Sequence, residues 1–577
     1  MNRLTHRIGL LTLTMAVPAL ALPAALDRVP QNAAAFAGIG NLSEFQGEAL
    51  NLVTALNIDD AMGGLQLAGM MLGTPGLDEE RSAAVAFMAG PDGQLDFESD
   101  VPPMVLVLPV SNFSEFVGAF GGEAQQGVMP LNMMGGEVFI KNLAGDYAAM
   151  SPDRAILASF EGASGNLAGL KTRLGNVGNR VADDSDMFFA IDVQQIGDQI
   201  VEGAEGFKEQ MDMMAMMMGE QAQGMDQMGT AAVDFAKMFV RDGSVGVMGV
   251  DLDDMGVAMD FAAQFKDGTE LANMFNAGGN ARSLLNHVPG GDFLFALAMD
   301  SSSPGVKETF GKLAEFTTAM NPGGAMGPMD FGKMIQDQDG TAFVMGNPPA
   351  VMMGGLLANT VQFSKSKNPE QTIAQAQQMM TEMNGMTQQG MTFNTSYTND
   401  TTTVEGVSVD SWSMQMKFDP SDPAAQQAQM GTMMIFGPAG GPSGYYAAIE
   451  NGVVTTFAQN QPVLATAIKA ARAGNGLGSE AGIAGVAERL GENNVVEGYI
   501  GVASIAQQIQ GVMAMMGGGP QFNVPANLQP VGMAASMSGG GAHMRLFVPQ
   551  GVIKMATELA NQAGGGGGDG GEFEPRF

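Results

Sequence analysis

The chain has no cysteine, three histidines, one tryptophan and only 26 Lys and Arg against 60 Asp and Glu in 577 residues. Without cysteine there is no disulfide framework, thiolate nucleophile, zinc ribbon, iron–sulfur cluster or lipidated cysteine anchor. A formal charge of −34 with no cluster of Lys and Arg argues against nucleic acid as a partner, because displacing counterions from phosphates needs concentrated positive charge. No GxSxG, HExxH or Walker-type GxxxxGK[ST] pattern occurs, which removes the commonest serine-hydrolase, zinc-protease and nucleotide-binding signatures. What is present is a hydrophobic fraction of 45%, enough to build a real core.

Residues 1–7, with Arg3 and Arg7, precede the uncharged run IGLLTLTMAVPALA. A charged start followed by a short apolar stretch and the small residues Ala19 and Ala21 reads as a secretory signal peptide over 1–21. The run is shorter than the ~20 residues that span a bilayer, and no later stretch reaches that length. The expectation is an exported chain, soluble in the periplasm or outside the cell once the signal is removed, with no transmembrane segment in the mature part.

Self-similarity carries the most information. LDRVPQNAAAFAGIG is echoed by LLNHVPGGDFLFALA, so Val29 and Pro30 correspond to Val288 and Pro289. GDYAAMSPDRAILASF is echoed by SGYYAAIENGVVTTF, DMFFAIDVQQIGDQI by VVEGYIGVASIAQQI, and GSVGVMGVDLDD by QPVGMAASMSGG. Four pairs in the same order predict two homologous halves, 22–282 and 283–562, followed by a Gly-rich flexible tail at 563–577.

Within the halves, an apolar strand repeatedly runs into a capped helix. Asn41 with Glu44, Asn112 with Glu115, Asp192 with Gln195, Asn368 with Gln371 and Ser504 with Gln507 have capping-box spacing, and Pro369 suits the first helical position. Between them DYAAMS with RAILASF, GYYAAIE with VVTTFAQ, and SVGVMGVDL with GVAMDFAAQF read as tight antiparallel pairs. The predicted class is α+β: two homologous halves, each of mainly antiparallel sheets covered by helices on one face.

Residues able to carry chemistry are sparse. His287 stands where the first half has Arg28 and reads as an exposed turn residue; His543 lies in a predicted strand pair. Asp339 and Gly340 read as a hairpin turn, and Asp251, Asp253 and Asp254 as a solvated one. Asp183, Asp184 and Asp186 read as surface charge unless the fold gathers them. No catalytic or cofactor-binding residue is assigned, and no cofactor is expected. Methionine, with 50 copies, is the unusual feature. Met211, Met214 and Met218, and Met379, Met383 and Met386, recur at helical spacing. Thioethers so placed suit Cu(I), but an unbranched helix former spread over the whole chain is better read as core filler.

The opening residues Leu26, Val29, Pro30, Ala35, Phe36, Asn41 and Leu42, echoed at Val288, Pro289, Phe293 and Phe295, resemble a family of exported bacterial proteins of unknown function. Its duplicated domains open on a Val-Pro dipeptide, an apolar strand and an N-capped helix. The resemblance implies export and fold style, with no activity or catalytic residue to carry over. Gln31 and Asn32 depart from the acidic turn usual there. The expected function is that of a non-enzymatic protein binding a protein partner or apolar ligand at the cell envelope. Alternatives are a Met-rich Cu(I)-binding protein and, third, a carboxylate-dependent hydrolase.

Overall fold

The computed structural model describes residues 22–56, 72–89, 103–133, 136–218, 225–309, 338–348, 355–388, 391–418, 435–437, 440–515, 524–525 and 527–564, with a few single positions between them. The expected signal peptide (1–21) and nearly all of the expected glycine tail (565–577) lie outside the described residues.

Among the described residues nine strands precede residue 282: β1 (Ala35–Ile39), β2 (Ala83–Phe87), β3 (Met104–Pro109), β4 (Val128–Met133), β5 (Gly136–Leu143), β6 (Tyr147–Ser151), β7 (Met187–Asp192), β8 (Gly243–Asp253) and β9 (Gly256–Phe265). Eleven follow it: β10 (Phe293–Met299), β11 (Gly340–Gly346), β12 (Thr360–Lys365), β13 (Thr387–Gln388), β14 (Met391–Val404), β15 (Val407–Phe418), β16 (Ser443–Ile449), β17 (Gly452–Thr456), β18 (Asn494–Ile500), β19 (Val531–Ser538) and β20 (Gly541–Pro549). Their pairings join them into one antiparallel sheet. It runs β4-β5-β6-β3-β2-β1-β7-β8-β9, crosses to β20, and continues β19-β18-β10-β11-β12-β17-β16-β15-β14-β13. The seam between the two sets is a full ladder from Gly256↔Pro549 to Gln264↔Gly541.

One face of this sheet is closed. Phe36, Ala86, Val105, Ala190 and Val247 are buried there under Leu170, Leu174, Val177 and Val181 of the helix Leu167–Asp184. Farther along, Ala296, Ala342, Phe363 and Val454 lie under the helices Gln461–Ala473 and Ala481–Leu490. The Leu167–Asp184 helix breaks at Gly175, whose φ of 65° is left-handed; a Cβ there would collide with the Gln264 side chain, so glycine is needed both for the bend and for the close approach. Asn179 Nδ2 donates to the carbonyls of Lys171 (2.8 Å) and Gly175 (2.6 Å), tying the two segments together.

The helices are not confined to that face. Phe116 and Val117 of the helix Phe113–Ala119 pack on Met129, Leu131 and Ile140, and Met380 and Met383 of Pro369–Met383 pack on Trp412 and Met414. The register puts Ile140 opposite Met150, then Leu106, Val85 and Ala37, the side of β1 opposite to Phe36. Two end helices thus sit on the second face.

Caps follow the expected residues with exceptions. Asn41 Oδ1 accepts from the amide of Glu44 (3.1 Å) and Asn112 Oδ1 from that of Glu115 (3.2 Å). Glu115 meets the Asn112 side-chain amide at 3.4 Å. Ser504 lies inside the helix Val502–Met515 rather than capping it. RAILASF is the helix Arg154–Ser159, because Asp153 accepts from the amides of Ala155 and Ile156 and starts a helix where a second hairpin strand was expected. The other two expected hairpins form as β16–β17 and β8–β9.

Candidate functional site

The middle of the second face is apolar and open. Strand register aligns Phe189, Met248, Phe261, Met544, Ala535 and Val496 in one row across β7, β8, β9, β20, β19 and β18. Met187, Val250, Met259, Leu546 and Met533 form the row beside it. Neither row contains a charged or hydrogen-bonding side chain. Met248 is 52% exposed, Met544 49% and Phe261 36%. At one end of these strands Met238 and Phe239 of the helix Met225–Asp242 pack on Ala263, Ala542 and Phe265, while the helices Phe113–Ala119 and Pro369–Met383 stand over the outer strands. An apolar floor in the centre of a sheet, closed in at its ends, is the shape of a binding surface.

Beneath the same strands, on the closed face, lies a buried ionic network. Asp260 and His543 project from β9 and β20 with side chains 1% and 10% exposed, and His543 Nε2 donates to Asp260 Oδ1 at 2.6 Å. Arg180, one turn before the end of its helix, donates from Nη2 to His543 Nδ1 (2.7 Å) and to Ser536 Oγ (3.0 Å). Because the guanidinium can only donate, Nδ1 accepts and the proton sits on Nε2. Arg545 Nη2 donates to Asp251 Oδ2 at 3.0 Å, with its Nε 3.6 Å from Asp260 Oδ2. Arg489 completes the set with Asp253 at 2.7 Å. Every one of these links joins a residue before 282 to one after 283.

Burial shifts the members of this network. It pulls the Arg180 guanidinium down, with Asp184 and Asp260 opposing, and pushes Asp184 up despite Arg545. Asp251 rises to about 6, again through burial. At the rim, Glu48 of the helix Leu42–Leu56 is hydrogen-bonded to Asp186, and burial first, then Asp186 and Glu44, push it up to about 7. Asp186 accepts the Leu252 amide at 2.7 Å, so Glu48 is the member of the pair that keeps the proton.

Several residues depart from their sequence reading. His543 is the centre of a network rather than an isolated histidine. Both its ring nitrogens are engaged, which leaves no lone pair directed at a substrate and no Ser/His/Asp relay. Asp251 is a half-buried ion-pair partner of Arg545 where a solvated turn was expected, although Asp253 does accept the Met255 and Gly256 amides of the turn. Asp184 and Asp186 belong to the network and its rim, whereas Asp183 is pushed up by burial beside Lys171. His287 is half-buried, stacked 4.7 Å from Phe363 with Nδ1 on the Ala471 carbonyl at 2.7 Å. Asp339 opens β11 and receives Lys307 and Lys367 instead of turning a hairpin. Among the described residues no group of three or more His, Asp or Glu is arranged to hold a metal ion.

The methionines divide by environment. Met211 is buried, Met214 half-buried, and the side chain of Met218 lies outside the described residues. Met383 is buried and Met379 partly buried against the aromatic cluster around Trp412, while Met386 is exposed. The exposed sheet methionines, Met187, Met248 and Met544, were not singled out by helical spacing. Their signal is different: β7 as far as Ile191 and β8 from Val245 to Val250 are apolar at both alternating positions, as are β3 and β10, where a sheet with one wet face alternates.

No family model matches the chain, and neither a curated protein nor a solved structure matches it. Among the described residues no helix is long and apolar enough to cross a membrane. The functional reading rests on geometry.

Proposed function

We propose that this is an exported, non-enzymatic binding protein that takes an apolar ligand or apolar partner surface on the open middle of its sheet. The observation carrying this reading is the row Met248–Phe261–Met544: three large, exposed apolar side chains in register on adjacent strands, inside two central rows that hold no charged side chain. A chain of charge −34 has ample polar residues for its surface, so an uncharged central face is a selective feature of these strands. Methionine supplies an adaptable contact there.

The reading includes a duplicated scaffold. Supporting it, β3-β2-β1-β7-β8-β9 has the same order as β12-β11-β10-β18-β19-β20, and a helix lying on the open face follows β3 and β12 alike. Export is supported by the signal-like first 21 residues. A neutral, environment-sensitive dye such as Nile red tests the surface: the full chain is expected to bind it, and Met248→Glu with Met544→Glu to abolish binding while far-UV circular dichroism is unchanged. Retained binding in the double variant would remove the proposal.

A further inference from the structure

We infer that the occupant of the open face is a single long hydrocarbon chain whose head group is not anionic; this rests on the binding reading just given. The floor lies at the centre of the sheet, where β8, β9 and β20 are paired on both sides, so no strand edge is free there. An extended peptide laid across it would bury backbone amides and carbonyls without partners. Peptides that add to sheets do so at an edge. A hydrocarbon chain has no such groups to satisfy, and the rows offer none: Met248, Phe261 and Met544 contribute only thioether and ring surface. Flexible thioethers accommodate a chain with many rotamers better than a rigid fitted pocket would.

Charge sets the second half of the inference. No cation stands in either row to receive a carboxylate or phosphate, and the molecule's field at −34 repels an anionic head while attracting a cationic one. An anionic amphiphile would bring its charge to the edge of a charge-free floor in a negative field. A zwitterionic or cationic head meets no such opposition.

The test is displacement of Nile red from the full chain, below the micelle concentration, by alkyl chains of equal length bearing phosphocholine, trimethylammonium or carboxylate heads. The expected result is displacement by the first two at concentrations roughly tenfold below the carboxylate at low salt. Shortening the chain by two methylenes is expected to weaken displacement about tenfold or somewhat more. Met248→Glu, at a position already half exposed, is expected to abolish the effect with the fold intact, and Met248→Leu to restore it. A carboxylate that displaces as well as the others, or displacement independent of chain length, would overturn the inference. Dye bound and lost in Met248→Glu, yet displaced by an amphipathic helical peptide and by no alkyl chain, would overturn it while leaving the broader binding reading in place. Dye binding indifferent to Met248→Glu would overturn both.

Discussion

The two faces of the sheet are built from the same strands and neighbouring residues, yet Phe36 and Val247 are buried while Met248 and Met544 stand about half exposed. On the closed face apolar side chains meet helices, and the polar groups beneath the seam form an interlocked set of charges. On the open face the side chains of the central rows are equally apolar, yet Met248, Met544 and Phe261 stand 52%, 49% and 36% exposed. The difference separates two uses of hydrophobic residues: the first stabilises the fold, and the second is retained without a comparable contribution to it.

That contrast can be broken by substitution. The largest expected effect is Phe36→Ala, which leaves a cavity against Phe188, 6.2 Å away edge-on, and should cost about 3–5 kcal/mol; urea denaturation measures it, and a loss below about 1 kcal/mol would deny that this face is the core. Next, Asp260→Ala strips His543 of its carboxylate at the seam, leaves Arg545 with Asp251 alone, and should cost about 3 kcal/mol. Because every link in that network crosses between the two parts of the chain, the denaturation curve should also lose cooperativity. Phe261→Ala, one residue along the same strand but on the open face, should cost under about 1 kcal/mol. Equal losses at 260 and 261 would erase the comparison.

The smallest expected effect depends on pH. Glu48 is raised above its ordinary value to about 7, so the folded state holds this proton more tightly than the unfolded chain. Its contribution to stability is complete below the ordinary carboxylate range near 4.5 and is lost as pH rises through about 7. Partial exposure screens the effect, which makes it about half a kcal/mol rather than the full value of the shift. Glu48→Gln should accordingly be neutral at pH 5 and stabilising at pH 8 in thermal melts. A variant equally affected at both would show that Glu48 does not carry the proton.

Much of the scaffold was legible in the sequence. Asn41, Asn112 and Asn368 cap helices as their spacing predicts, since a cap is a local transaction between neighbours in the chain. RAILASF was misread because a mostly apolar heptapeptide suits strand or helix, and the Asp153 cap decided it. The placement of helices on both faces was missed, although the apolar residues at both alternating positions of β3 and β10 point to it. The seam network was not legible: His543, Asp260 and Arg180 are joined only by register between strands far apart in sequence. Methionine periodicity along helices drew attention to clusters, while the exposed row arises across strands, one residue from each.

Side-chain oxidation tests the central claim most directly. Under dilute peroxide, mass spectrometry should find Met248 and Met544 oxidised well before Met380 and Met383, and a bound twelve-carbon alkylphosphocholine should slow oxidation of Met248 and Met544 while leaving exposed Met216 unchanged. Equal oxidation of all five, or no protection of the sheet pair by any apolar ligand or partner, would contradict the account of the open face as a binding surface.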